Sequence, residues 1–91
     1  MDRGPELATP IQPEYPAALR AAGLQGEVVI EYVVGEGGRV DTSSFRALRF
    51  THPDFVPPIR AAMASARFIP AQRNGRPIAV GVRQRVAFQV R

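Results

Sequence analysis

Residues 78–90, Ile78-Ala79-Val80-Gly81-Val82-Arg83-Gln84-Arg85-Val86-Ala87-Phe88-Gln89-Val90, carry the pattern that decides the fold. Ile78, Val80, Val82, Val86, Phe88 and Val90 fall on even numbers, while Arg83, Arg85, Gln89 and Arg91 fall on odd ones. Only Gln84 breaks the apolar row. Side chains of a β-strand point alternately to opposite faces, so this spacing predicts one long, half-buried terminal strand with an arginine-studded outer surface. A strand of this kind at a sheet edge offers unpaired backbone donors and acceptors that an extended peptide can complete. The same edge equally suits a strand that ends the sheet or pairs with a second copy, and alternation alone leaves both uses open. Arginines on such an edge also discourage uncontrolled pairing.

Working back from that strand, Asn74-Gly75 is a strong hairpin-turn signal, and Phe68-Ile69-Pro70-Ala71 before it reads as extended. Phe55, Ile59, Ala62, Met63 and Ala66 recur at helical spacing, which predicts a helix ending by about Arg67. Asp54 is the expected N-cap, with Pro57 and Pro58 in the first turn, where missing amide donors cost little. Further upstream, Glu27-Val28-Val29-Ile30-Glu31-Tyr32-Val33-Val34 is rich in β-branched and aromatic residues and polar at only half the positions on one face, as suits a central strand. Gly35-Glu36-Gly37-Gly38 supplies a hairpin loop into a second strand from Arg39-Val40 to about Phe50. In that strand Val40, Thr42, Leu48 and Phe50 share one parity and Phe45 and Ala47 the other, so a bulge near Ser43-Ser44 is expected. Tyr15, Ala18, Leu19 and Ala22 predict a short helix over about 15–22, with Pro16 in its first turn and Gly23 at C′. Pro5, Pro10 and Pro13 make residues 1–12 an extended, largely irregular lead-in to a domain over 13–91.

The chain has 91 residues, enough for one small core. An apolar share of 45% against 22% charged residues excludes a disordered chain. With no cysteine and one histidine it has neither a disulfide nor a soft-ligand zinc cluster, so packing must hold the fold together. No apolar run approaches the ~18 residues of a membrane span, and Met1-Asp2-Arg3-Gly4-Pro5 opens no signal-peptide stretch, so a soluble chain is expected. The net charge of +4 comes entirely from arginine, twelve residues without a lysine. Catalysis finds no support. A hydrolase triad would need the sole histidine, His52, beside Ser43, Ser44 or Ser65 and an acid such as Asp41 or Asp54, but no recognised nucleophile motif surrounds those serines, and the position of His52 before Pro53 suits a loop or cap. The carboxylates form no ligand-spaced cluster, and Gly35–Gly38 joins two strands where a phosphate loop would open a helix. Arg83, Arg85 and Arg91 are interleaved with Ala87 and Gln89 and lack a stacking aromatic, so they read as a solvated face and not as a nucleic-acid surface. No enzyme, metal or cofactor is expected.

In order, Pro13-Glu14-Tyr15-Pro16, Gly26-Glu27-Val28, Gly38-Arg39-Val40, Arg67-Phe68-Ile69-Pro70-Ala71, Gly75-Arg76-Pro77-Ile78 and Val86-Ala87-Phe88 resemble the C-terminal domain of the TonB family of energy transducers. Each motif alone is weak, but the ordered set runs at family-like spacing from about 11 to 90. The resemblance implies an α+β fold, two helices packed on a three-stranded antiparallel sheet with the long last strand at its edge. It implies a periplasmic domain that captures the TonB-box peptide of outer-membrane transporters by strand addition and is tethered to the inner membrane, where an ExbB/ExbD-like motor drives it. Carried over, the contact residues are Gln12 and the backbone of Val82, Arg83, Gln84, Arg85, Val86, Ala87, Phe88, Gln89 and Val90, with Tyr15 packed beneath its helix. The chain departs from the family in lacking the membrane helix and long proline-rich spacer, and in carrying Phe50-Thr51-His52-Pro53 and Pro57-Pro58 before and within the second helix. A homodimer through the same strand is the rival reading.

Overall fold

The computed structural model describes residues 3–90. Its centre is strand β2 (Gly26–Val34), flanked by β3 (Val40–Phe50) and by β7 (Val80–Phe88) in an antiparallel sheet of order β3-β2-β7. Val28, Ile30, Tyr32 and Val34 of β2 are all buried, and the opposite face of Glu27, Val29, Glu31 and Val33 is half-buried. The mixed face expected of a central strand is therefore where it belongs. Helix α1 (Ala17–Ala21) precedes β2, and helix α2 (Val56–Ser65) follows β3. Ile59 and Met63 of α2 meet Val28, Ile30, Val34, Phe45 and Phe88 of the sheet, with Leu19 of α1 and Phe55 completing the core. Each fully buried side chain of this size contributes about 1.5–3 kcal/mol relative to exposure.

Two small antiparallel ribbons extend this plan beyond two helices and one sheet. Strand β1 (Glu6–Leu7) pairs with β4 (Phe68–Ile69), and β5 (Ala71–Arg73) pairs with β6 (Arg76–Ile78). The lead-in is thus not irregular: Arg3 bridges to Gln72, and the Ala8 amide donates to the Arg67 carbonyl at 2.8 Å. The β5–β6 turn has Asn74 at φ 53° and Gly75 at φ 76°, the two positive values that an Asn-Gly hairpin turn requires. The single long strand expected over residues 78–90 divides. Residues 76–78 pair with β5, Ala79 lies outside both strands, and residues 80–88 pair with β2 from Val80↔Val34 to Gly26↔Phe88.

Helix α1 is shorter than its apolar spacing suggested. It starts after Pro16 and closes with Gly23 at φ 69°, the Gly23 amide donating to Arg20 O and the Leu24 amide to Leu19 O, so that two end carbonyls are satisfied. Strand β3 bulges twice. Thr42–Phe45 lie between the partners of Glu31 and Val33, and Leu48 between those of Val29 and Ile30. The Ser44 hydroxyl splices the first break, accepting from the Val33 amide at 2.8 Å and donating to the Asp41 carbonyl at 2.5 Å. That extra length turns Phe45 into the core, where it is 3% exposed.

Asp54 does not cap α2. A 3-10 turn (Pro53–Phe55) runs directly into that helix, and the capping acceptor is Nδ1 of His52, which takes the Asp54 amide at 3.1 Å. His52 is extended (φ −151°) before Pro53 and so faces the turn's free amides, while Asp54 already lies inside the turn. Pro57 and Pro58 sit in the first turn of α2, as expected.

Candidate functional site

Strand β7 has one neighbour. Its inner edge forms nine pairs with β2, and among the described residues no strand pairs with its other edge. Nine residues of strand backbone with an open side are the raw material of strand addition, where the main chain supplies affinity and flanking side chains supply selectivity. Of the expected contact residues, Val82–Phe88 lie within this strand. Gln89 and Val90 fall beyond its end, and the Val90 amide is held by Gln25 Oε1 at 2.9 Å. Val80 and Gly81 belong to the same strand and extend it beyond the expected contact range. The uninterrupted alternation through Val80 and Val82 was the available signal for them.

The two faces of β7 differ. On the inner face Val82 and Val86 pack against the core and Phe88 is buried. Gln84, the break in the apolar row, is explained by its partner: the Tyr32 hydroxyl donates to Gln84 Oε1 at 2.8 Å, so a polar side chain on the core side is satisfied. Burial raises the Tyr32 pKa above 10.0. On the outer face Arg83 meets Glu31 and Arg85 meets Glu27, each at 3.4 Å. Two of the arginines that give the chain its positive charge are therefore tied to the neighbouring strand.

Gln12 is exposed in the segment leading to α1. Three residues on, the Tyr15 ring stands edge-on to Phe88 at 5.4 Å and to Phe55 at 5.9 Å, and Phe55 stacks on Phe88 at 4.5 Å. The Tyr15 hydroxyl donates to the Leu24 carbonyl and the Arg20 guanidinium lies 5.9 Å from the ring centre. This aromatic trio places Tyr15 beside the C-terminal end of β7, although the two are some seventy residues apart in the chain. Gly26 lies at the same end, where an added Cβ would come within 2.0 Å of Thr51 Oγ1 and 2.6 Å of the Phe55 ring. Only glycine permits that approach of β2 to the turn before α2.

Among the described residues, the groups that a hydrolytic triad would use have other partners. His52 Nδ1 is spent on its cap and lies 4.0 Å from an exposed Asp54 carboxylate, and Ser43, Ser44 and Ser65 hydrogen-bond to backbone or to Asp41. Among the described residues no three His, Cys, Asp or Glu side chains are grouped to hold a metal ion. No helix among them is long and apolar enough to cross a membrane.

Comparison with known proteins follows the same lines. The family model for the Gram-negative bacterial TonB protein C-terminal region matches residues 11–90. Among solved structures, the solution NMR structure of the Pseudomonas aeruginosa TonB C-terminal domain is similar to this chain with a TM-score of 0.77 and 28% sequence identity. The similarity covers 98% of this chain and 87% of that one. No curated protein matches the sequence.

Proposed function

The chain belongs to the Gram-negative bacterial TonB C-terminal family, and from that premise we propose that it captures the TonB-box peptide of outer-membrane transporters by strand addition to β7. The family is one of periplasmic, non-catalytic transducer domains. The observation that carries the reading is the open edge of β7, nine residues long, with Tyr15 packed at its C-terminal end against Phe55 and Phe88. An extended peptide aligned on that edge completes a four-stranded sheet, with Gln12, three residues before Tyr15, contributing an amide side chain at its end. Coupling to an ExbB/ExbD-like inner-membrane motor through an N-terminal anchor belongs to the same proposal.

Titration of the labelled protein with a TonB-box peptide tests it. Amide signals of residues 80–88 and around Gln12 should move together and saturate. Shifts confined to other residues, or none at millimolar peptide, would overturn the reading. The same open edge also suits a second copy of the chain, which makes a homodimer the rival. Light scattering across a concentration series separates the two, because strand exchange raises the mass without any peptide present.

A further inference from the structure

Helix α2 carries two apolar faces where a surface helix ordinarily carries one. Phe55, Ile59 and Met63 face the core, as described above. Val56, Pro57, Arg60, Ala61 and Ala64 run along a second side and line a groove of about 850 Å³, whose opposite wall includes Ala47 and Phe50 of β3. No acidic side chain lines it, and Arg60 is its only charged residue. Phe50, at one end, is 48% exposed, so a large aromatic surface is left in water. Exposed apolar surface gathered into one concavity marks an interaction site more often than isolated exposed residues do.

We infer that this groove docks an acidic amphipathic helix of a partner protein, with apolar side chains in the groove and a carboxylate on Arg60. Three observations select that occupant. First, the Arg60 guanidinium lies 4.6 Å from the centre of the Phe45 ring, which holds it in place beside the groove. Among the described residues the ion pairs are His52–Asp54, Arg83–Glu31 and Arg85–Glu27, so Arg60 has no carboxylate of its own. Second, a second copy is a poor occupant. A two-fold contact through this groove brings in one Arg60 from each copy and no groove carboxylate, between molecules that each carry a net charge of +4. Third, β3 is bulged at Thr42–Phe45 and again at Leu48, which breaks the regular edge that strand addition needs, whereas the small side chains of Ala61 and Ala64 let another helix approach α2 closely. The groove belongs to the β3 side of the sheet and the proposed peptide edge to β7 on the other, so both can be occupied at once.

The probe is a capped helical peptide with leucine on one face flanked by glutamate, set against the same peptide with lysine in place of glutamate. Titrated into the labelled full chain, the glutamate peptide should move the amides of Ala47, Phe50, Arg60, Ala61 and Ala64, leave residues 80–88 unmoved, and gain helical circular dichroism on binding. The lysine peptide should bind at least tenfold more weakly, and Arg60→Glu should reverse that preference. Arg60 is exposed, so this variant keeps the core, and an unchanged spectrum away from α2 verifies it. Equal affinity for the two peptides, shifts outside the groove, or a mass that doubles with concentration and is halved by Ala61→Arg would each overturn the inference. Retention of TonB-box binding by Arg60→Glu, with loss of the acidic helix, would separate this surface from β7.

Discussion

Tyr32 shows how much one side chain settles. It is 3% exposed, its ring lies 6.0 Å from that of Phe68, and its hydroxyl satisfies Gln84 on the strand proposed to bind peptide. Tyr32→Phe keeps the ring and removes the donor, leaving the Gln84 amide oxygen short of a partner, and should cost about 1–2 kcal/mol in urea unfolding at neutral pH. The phenol also predicts a pH dependence. Burial raises its pKa in the folded chain above the 10.0 of the unfolded one, so the unfolded state loses its proton first. Stability is then complete below that unfolded value and falls as pH rises through the folded one. The chain has no lysine or cysteine to titrate alongside it. Tyr32→Phe should flatten this alkaline decline, and an unchanged slope would mean that the decline arises elsewhere. Gln84 was legible only as an exception in the alternation, because its partner lies 52 residues away on another strand.

At the level of elements, the core helix and the charged ladder contribute very differently. Ile59→Ala in α2 removes a fully buried side chain between helix and sheet and should cost about 2–5 kcal/mol. Glu31→Gln breaks the ion pair with Arg83, but the Arg83 side chain is 70% exposed, so the change should stay within about 0.5 kcal/mol. Thermal melts of the two variants check the contrast, and a large loss from Glu31→Gln would show that the ladder stabilises the sheet after all. Elements whose instructions are local were legible in the sequence. The alternation of β7, the Asn74-Gly75 turn, the glycine stop of α1 and the bulge at Ser43-Ser44 all follow from side chains within a few residues of one another. Elements defined by a change of partner were not. Alternation runs unbroken through Ile78 and Val80, yet the first pairs with Ala71 and the second with Val34. Strand β1 was hidden because Pro5 and Pro10 flank it and its partner begins at Phe68. Asp54 lost its expected role to a histidine two residues earlier, because the preceding 3-10 turn shifts the first free amides. For the candidate site, β7 could be read from its pattern, whereas the approach of Tyr15 to its end depends on that ring meeting Phe88 across the fold.

The whole molecule is elongated. Its extents are 49 × 22 × 18 Å and its radius of gyration is 14.3 Å, against about 12 Å for a compact domain of this length. The three-stranded sheet with its helices forms the body, and the two-stranded ribbons supply a smaller region anchored through residues 67–78. Gly38 joins the two: its carbonyl accepts the Phe68 amide at 2.8 Å, and with φ at 82° a Cβ there would lie 2.1 Å from the Phe68 carbonyl. Gly38→Ala should therefore loosen the ribbons before the body. In hydrogen exchange, Phe68 and Gln72 should lose protection while Ile30 keeps it, and uniform loss would contradict this division.

The pairing of residues 3–8 has a mechanical consequence. Tension applied at the N-terminal end meets the Arg3–Gln72, β1–β4 and Ala8–Arg67 contacts one after another, so they unzip in series. A load carried along β7 instead meets all nine of its pairs with β2 in shear. The weak end should yield first and stop at Tyr15, which is clamped by Phe55 and Phe88, releasing at most about 40 Å of chain. A single-molecule pulling trace should show that short step before the sheet ruptures, and a single rupture without it would exclude such slack. Slack taken up at low load would leave the strongest part of the fold free of strain until residues 3–15 are drawn out.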